Sequence, residues 1–175
     1  MKGAFLTVLA SAALASPEAV FAAPWPAAAL NVCCAAEPPK GPDAARVRAE
    51  LATADSLEMA GRLSAARRRY RSLIDEQRSA DQYPAEALWH LANSYFYHDQ
   101  ELESAATLDE LAEAAGRFGD PATELRASFQ AALLYQRHKQ PSRVAPKITR
   151  MRALLQSPAI ADEIKKDIAA RLVSG

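Results

Sequence analysis

Residues 84–121 read PAEALWHLANSYFYHDQELESAATLDELAEAAGRFGDP, and this stretch decides the fold. Pro84 opens a segment in which Leu88, Leu91, Ala92 and Tyr95 recur at helical spacing, and His98-Asp99-Gln100 interrupts it. A second segment repeats the spacing through Leu102, Ala105, Leu108, Leu111 and Ala115. It stops at Gly119-Asp120-Pro121, where a terminating Gly meets a capping Asp and a Pro suited to the first helical position of the next element. Two helices joined by a tight turn, with breakers on either side, make one helical hairpin.

The same reading extends in both directions. Asp43 to Ala60 carries Val47, Leu51, Ala54 and Leu57 on one stripe and ends at Gly61, and Leu63, Ala66, Tyr70, Leu73 and Ile74 continue as its partner up to Ser79-Ala80-Asp81. After Pro121 come Leu125, Phe129, Ala132 and Tyr135, then an arm near Ser142 to Leu155 with Val144, Ile148, Met151 and Leu155, in which Pro146 is acceptable only within the first turn. Ser157-Pro158 reads as the cap of a seventh helix with Ile160, Ile164, Ile168 and Leu172 on one face. Ala66, Ala105 and Val144 stand 39 residues apart, each in the same place after its turn, and His98 and His138 stand 40 apart. A fixed period of this length signals stacked repeats, because one hairpin cannot bury its apolar face alone.

Composition agrees: the 175 residues include 40 Ala against 6 Gly, half are apolar, and Lys+Arg equals Asp+Glu at 21 each. Such a chain leans to helix, is no wholesale disordered polymer, and carries no net field that argues for nucleic acid. The charge is nonetheless segregated. Residues 81–120 hold nine acids against Arg117 alone, and residues 121–175 hold ten Lys/Arg against four acids, a pattern of either solvated helix faces or surfaces that steer a partner or a second copy.

The N-terminus reads as an address. Met1-Lys2 precedes an apolar run from Ala4 to Ala15, and Val20-Phe21-Ala22 offers a signal-peptidase site, with Ala13-Leu14-Ala15 as the alternative. The expected division is therefore 1–22 signal peptide, 23–42 Pro/Ala-rich linker and 43–175 helical domain, in a periplasmic or secreted bacterial protein. Beyond the signal no run is long enough for a transmembrane anchor. Cys33 and Cys34 are adjacent, which suits neither a tetrahedral metal site nor a redox pair; they are either cross-linking thiols or part of an inert tail.

Leu88-x-x-Leu91-Ala92-x-x-Tyr95 is similar to the first-helix pattern of tetratricopeptide repeats, and Ala60-Gly61-Arg62-Leu63-x-x-Ala66-x-x-x-Tyr70 to their turn and second helix. Ala114 to Pro121 resembles the longer repeat variety of about 40 residues. The likeness covers about residues 43–156. It departs from the family in its period, in Ser104 where Ala is usual, and in Glu50-x-x-Thr53-Ala54-x-x-Leu57 as a first helix. The resemblance implies an all-α, right-handed solenoid of about three TPR-like hairpins with a C-terminal capping helix.

It also implies a concave groove, lined by first helices, that binds a peptide or protein partner. Carried over position by position, the pattern puts Glu86, Trp89, Asn93, Phe96 and Tyr97 towards that groove from one helix, and Arg126, Phe129, Leu133 and Arg137 from another. Aromatic and Arg side chains dominate binding energies, although aromatic residues at helical spacing also build cores. The other reading of the chain is a self-assembling structural subunit of an envelope complex. No cofactor is expected. The sequence holds no nucleophile elbow, phosphate loop or H-E-x-x-H, and its sharpest chemical pattern is His98, Asp99 and His138 at neighbouring turns, which are either weak metal ligands or surface turn residues. No enzymatic activity is expected.

Overall fold

The computed structural model describes residues 41–173, with side chains to Arg171. The expected signal peptide (1–22), nearly all of the expected linker (23–42), and Cys33 and Cys34 lie outside the described residues. Within them every regular element is a helix and none is a strand: α1 (Ala44–Met59), α2 (Leu63–Ser79), α3 (Ala85–Phe96), α4 (Glu101–Phe118), α5 (Pro121–Arg137), α6 (Pro141–Leu155) and α7 (Asp162–Val173). Two helix starts follow their sequence signals closely. The Asp43 carboxylate accepts from the Arg46 N–H at 2.7 Å, and the Asp120 carboxylate accepts from the Thr123 N–H at 3.1 Å with Pro121 in the first turn.

The first five connections are built alike. Each helix runs into a residue of positive φ: Gly61 (73°), Asp81 (52°), Asp99 (58°), Gly119 (71°) and Lys139 (56°). The next residue then returns its N–H to the helix just left: Arg62 to Leu57 O at 2.8 Å, Gln82 to Gln77 O at 2.8 Å, Gln100 to Tyr95 O at 3.0 Å, Asp120 to Ala115 O at 2.9 Å and Gln140 to Tyr135 O at 2.9 Å. This satisfies carbonyls that a helix end would otherwise orphan. Left-handed backbone costs a residue with a Cβ about 1 kcal/mol, so Lys139, exposed and with no side-chain partner among the described residues, is a place to recover it. Lys139→Gly is expected to stabilise the domain by about 0.5–1 kcal/mol, read as a higher urea midpoint with an unchanged slope. A lower midpoint would show that the Lys side chain contributes something the geometry does not.

Each helix from α1 to α5 packs on the next, and alternate helices α1 and α3, and α5 and α7, also touch. Two apolar clusters result. The first runs through α1 to α5 and includes Leu51, Tyr70, Ile74, Leu88, Leu91 and Leu111; the second joins α5, α6 and α7 through Leu125, Phe129, Met151, Leu154 and Ile168, with Ile160 from the turn before α7. Fully buried alanines, among them Ala66, Ala87, Ala105 and Ala127, let backbones approach closely. Helix α5 serves both clusters, giving Ala127, Ala131, Leu134 and Tyr135 to the first and Leu125, Phe129 and Ala132 to the second. Only Arg126, Gln130, Leu133 and Arg137, at helical spacings of four, three and four, remain as a continuous exposed stripe along it.

Two expectations need correction. Pro146 lies inside α6 beyond its first turn, the helix starting at Pro141, where a Pro suits the first helical position. Ser157 does not cap α7. Its hydroxyl accepts from the Ala159 N–H at 3.3 Å in a turn, Ile160 is buried there against the second cluster, and the helix begins only at Asp162 with two acids in its first turn. Those acids favour the positive end of the helix dipole, so the start is set by tertiary burial of Ile160 followed by Asp162-Glu163.

The segregated charges meet across helix interfaces. Glu110 of α4 binds Arg71 at 2.8 and 3.0 Å and Arg78 at 3.0 Å, both from α2. Asp109 binds Lys147 of α6 and accepts from the Tyr135 hydroxyl at 2.9 Å, and Glu101 binds Arg137 and, at 2.8 Å, His138. Burial alone would raise the Glu110 carboxyl, but the Arg71 and Arg78 hydrogen bonds win and hold it below the usual carboxylate range. The unfolded chain then binds a proton more readily than the folded one. The stabilisation from Glu110 is therefore complete above the ordinary Glu value of about 4.3 and is lost as the pH falls through the depressed folded value. Thermal melts of the wild type and Glu110→Gln between pH 3 and 7 should converge at the acid end; parallel curves would show that this carboxylate does not titrate differently on folding.

Candidate functional site

Glu86, Trp89, Asn93 and Phe96 follow one another at three, four and three residues and share a face of α3, which Tyr97 continues past the helix end. Beside it lies the exposed stripe of α5. Three depressions cover these two faces and the adjoining α7. One of about 250 Å³ lies among Asn93, Phe96, Tyr97, Leu133 and Arg137, with Leu108 and Leu134 below. One of about 240 Å³ holds Glu86, Trp89, His90 and Arg126, and one of about 740 Å³ holds Arg126, Phe129 and Leu133 against Glu163, Ile164 and Arg171 of α7. Arg126 belongs to the second and third, and Leu133 to the first and third, so the third depression adjoins both of the others.

All nine residues singled out in the sequence line this surface, but their exposure separates them. Tyr97 is 75% exposed, Leu133 45% and Phe96 40%, large apolar surface for a water-facing site, and the Phe96 and Tyr97 rings meet edge to face at 5.6 Å between centroids. Trp89 is half-buried against the first cluster, and Phe129 is 6% exposed within the second. Phe129 is thus part of the core that carries the surface. Glu86 and Arg126 are exposed and Asn93 is half-buried, while Arg137 is exposed but engaged by Glu101.

The structure adds a polar cluster that spacing alone did not reveal. Asp55 and Glu58 of α1 reach across to α3 and its following turn, where Asp55 pairs with His90 Nδ1 at 2.9 Å and Glu58 with His98 Nδ1 at 3.4 Å. The Tyr70 hydroxyl donates to Asp55 and, at 3.4 Å, to Glu58; burial and then the Asp55 hydrogen bond push that phenol far up. Arg67 fixes the same corner, donating to Ser94 Oγ at 3.2 Å and Ser94 O at 3.0 Å, binding Gln100, and lying 4.3 Å from the Tyr95 ring centroid. These partners lie 12 to 40 residues apart in the chain, so no local signal marks them.

His98, Asp99 and His138 are not brought into a ligand set. His98 engages Glu58 and, at 2.7 Å, Ser94 O, while His138 engages Glu101; among the described residues no group of three His, Cys, Asp or Glu is arranged to hold a metal ion. Among the same residues no helix is long and apolar enough to cross a membrane. In comparison with known proteins, no family model, no curated sequence and no solved structure matches the chain.

Proposed function

We propose that the chain is an exported TPR-like interaction module, an adaptor or scaffold that binds a peptide or protein partner without catalysing a reaction. In this reading α1–α2, α3–α4 and α5–α6 are three hairpins of a right-handed solenoid, α7 covers the open end, and residues 1–22 direct the protein to the periplasm or outside. The 39-residue period, the five turns of one design and the contacts between alternate helices support the architecture. One observation carries the function: Phe96, Tyr97 and Leu133, from two alternate helices, leave their apolar surface exposed around a single depression. A surface built only for solubility does not gather three such side chains in one place.

The test is capture of partners from an envelope extract by the full chain and by a Tyr97→Ala, Leu133→Asp twin, with hydrogen exchange on the complex. A protein retained only by the wild type, with protection gained in α3 and α5, supports the module. Identical retention by both removes the groove assignment. Self-assembly, the other reading, drew on charge segregation, yet the α4 carboxylates Asp109 and Glu110 are engaged by α2, α5 and α6 within one chain. A monomer in sedimentation under oxidising and reducing conditions excludes it.

A further inference from the structure

We infer that the groove takes an extended peptide segment with one bulky apolar side chain and a single carboxylate three residues from it, the first seated among Phe96, Tyr97 and Leu133 and the second on Arg126. The inference rests on the groove reading above. Its first support is the seat, a depression of about 250 Å³ floored by Leu108 and Leu134 and walled by the three exposed apolar side chains. The second is a pair of amides. Asn93 of α3 and Gln130 of α5 line the same depression, and neither side chain has a hydrogen-bond partner among the described residues. A primary amide both donates and accepts, which is what the backbone of an extended chain requires.

The third support is the charge pattern along α5. Arg137, at one end of the exposed stripe, is already engaged by Glu101. Arg126, at the other end, is exposed and has no ion-pair partner among the described residues, so it is the cation left for a ligand. Three carboxylates stand around it. Glu86 of α3 lines the second depression with it, and Glu163 and Asp167 of α7 line the third with it, Asp167 being bound to Arg171 at 3.0 Å. One incoming carboxylate gains Arg126, whereas a run of acids meets Glu86 and Glu163 as like charges; hence the preference for a single acid. The spacing follows from helix geometry. Leu133 lies seven residues beyond Arg126, about 10.5 Å along the axis, and an extended strand covers that distance in about three residues.

The experiment uses fluorescein-labelled nonapeptides in a Ser/Ala background with one Leu fixed and one Glu placed one to five residues away on either side, titrated with the full chain in anisotropy. The tightest peptide should carry Glu at a separation of three, bind about five- to tenfold better than its Gln counterpart, and lose affinity when a second Glu is added beside the first. Arg126→Glu should remove that preference, and replacing the peptide Glu by Lys should restore binding to the Arg126→Glu protein. Arg126 is solvent-exposed, and an unchanged thermal melt verifies that the variant is folded. If peptides bind and Leu133→Asp abolishes binding, but neither the position of Glu nor Arg126→Glu matters, the register is overturned and the groove stands. If no peptide binds at millimolar protein, both fall.

Discussion

Phe129→Ala is expected to lower the unfolding free energy by about 3–4 kcal/mol, the cost of removing a buried aromatic ring and leaving a cavity that its neighbours refill only in part. Phe129 is 6% exposed and packs in the cluster with Leu125, Met151, Leu154 and Ile168. That cluster is the smaller of the two, and α6 and α7 depend on it: α6 buries only Met151 and Leu154, and α7 touches α5. The loss should therefore be local before it is global. Hydrogen exchange in the variant should show α6 and α7 opening at lower free energy, while α2, α3 and α4, anchored by Tyr70, Leu88, Leu91 and Leu111 in the first cluster, keep their protection. A cost under about 1 kcal/mol would mean that the ring is a surface residue after all, and that the sequence pattern placing it towards a groove was the better guide.

Much of this architecture is legible in the chain because its signals are local. Gly61, Gly119, Asp120 and Pro121 announce their turns by backbone chemistry, and apolar spacing gives six helices nearly to the residue. What escapes is what depends on distant neighbours. The start of α7 is hidden because Ser157-Pro158 has the form of a cap, and only the burial of Ile160 diverts the chain into a turn there. Pro146 looks confined to a first turn until Pro141 takes that place. Charge segregation reads as a surface property in one dimension; in three, Glu110 meets Arg71, 39 residues away, and becomes a joint between helices. The candidate surface shows the same division. Helical spacing collects Glu86, Trp89, Asn93 and Phe96 on one face, but whether Trp89 and Phe129 face solvent or core is decided by packing, of Trp89 against the first cluster and of Phe129 within the second. Asp55, Glu58 and His90 escape because Asp55 meets His90 35 residues away and Glu58 meets His98 40 residues away.

The opposite outcome is expected one helical turn from Phe129. Combining Tyr97→Ala with Leu133→Asp should weaken partner binding at least about a hundredfold, since two central apolar contacts at an interface are each worth about 2 kcal/mol or more. Stability should change by no more than about 1 kcal/mol, because Tyr97 and Leu133 are 75% and 45% exposed and sit outside both clusters. The Tyr97 ring contributes an edge-to-face contact with Phe96, and Asp at position 133 carries a modest helix penalty; together these set the upper limit. Trp89 is the wrong residue for this purpose. Half-buried against the first cluster and also lining a depression, it would lose stability and binding together when truncated, and the two causes could not be separated. Leu133 and Phe129 separate them cleanly: four residues apart, they lie on the same side of α5, yet Phe129 is covered in the second cluster and Leu133 is 45% exposed. Equal loss of stability in the two variants would mean that the exposed stripe of α5 is structural, whereas a Phe129→Ala protein that keeps binding at low temperature while melting early would assign packing to one side chain and recognition to the other.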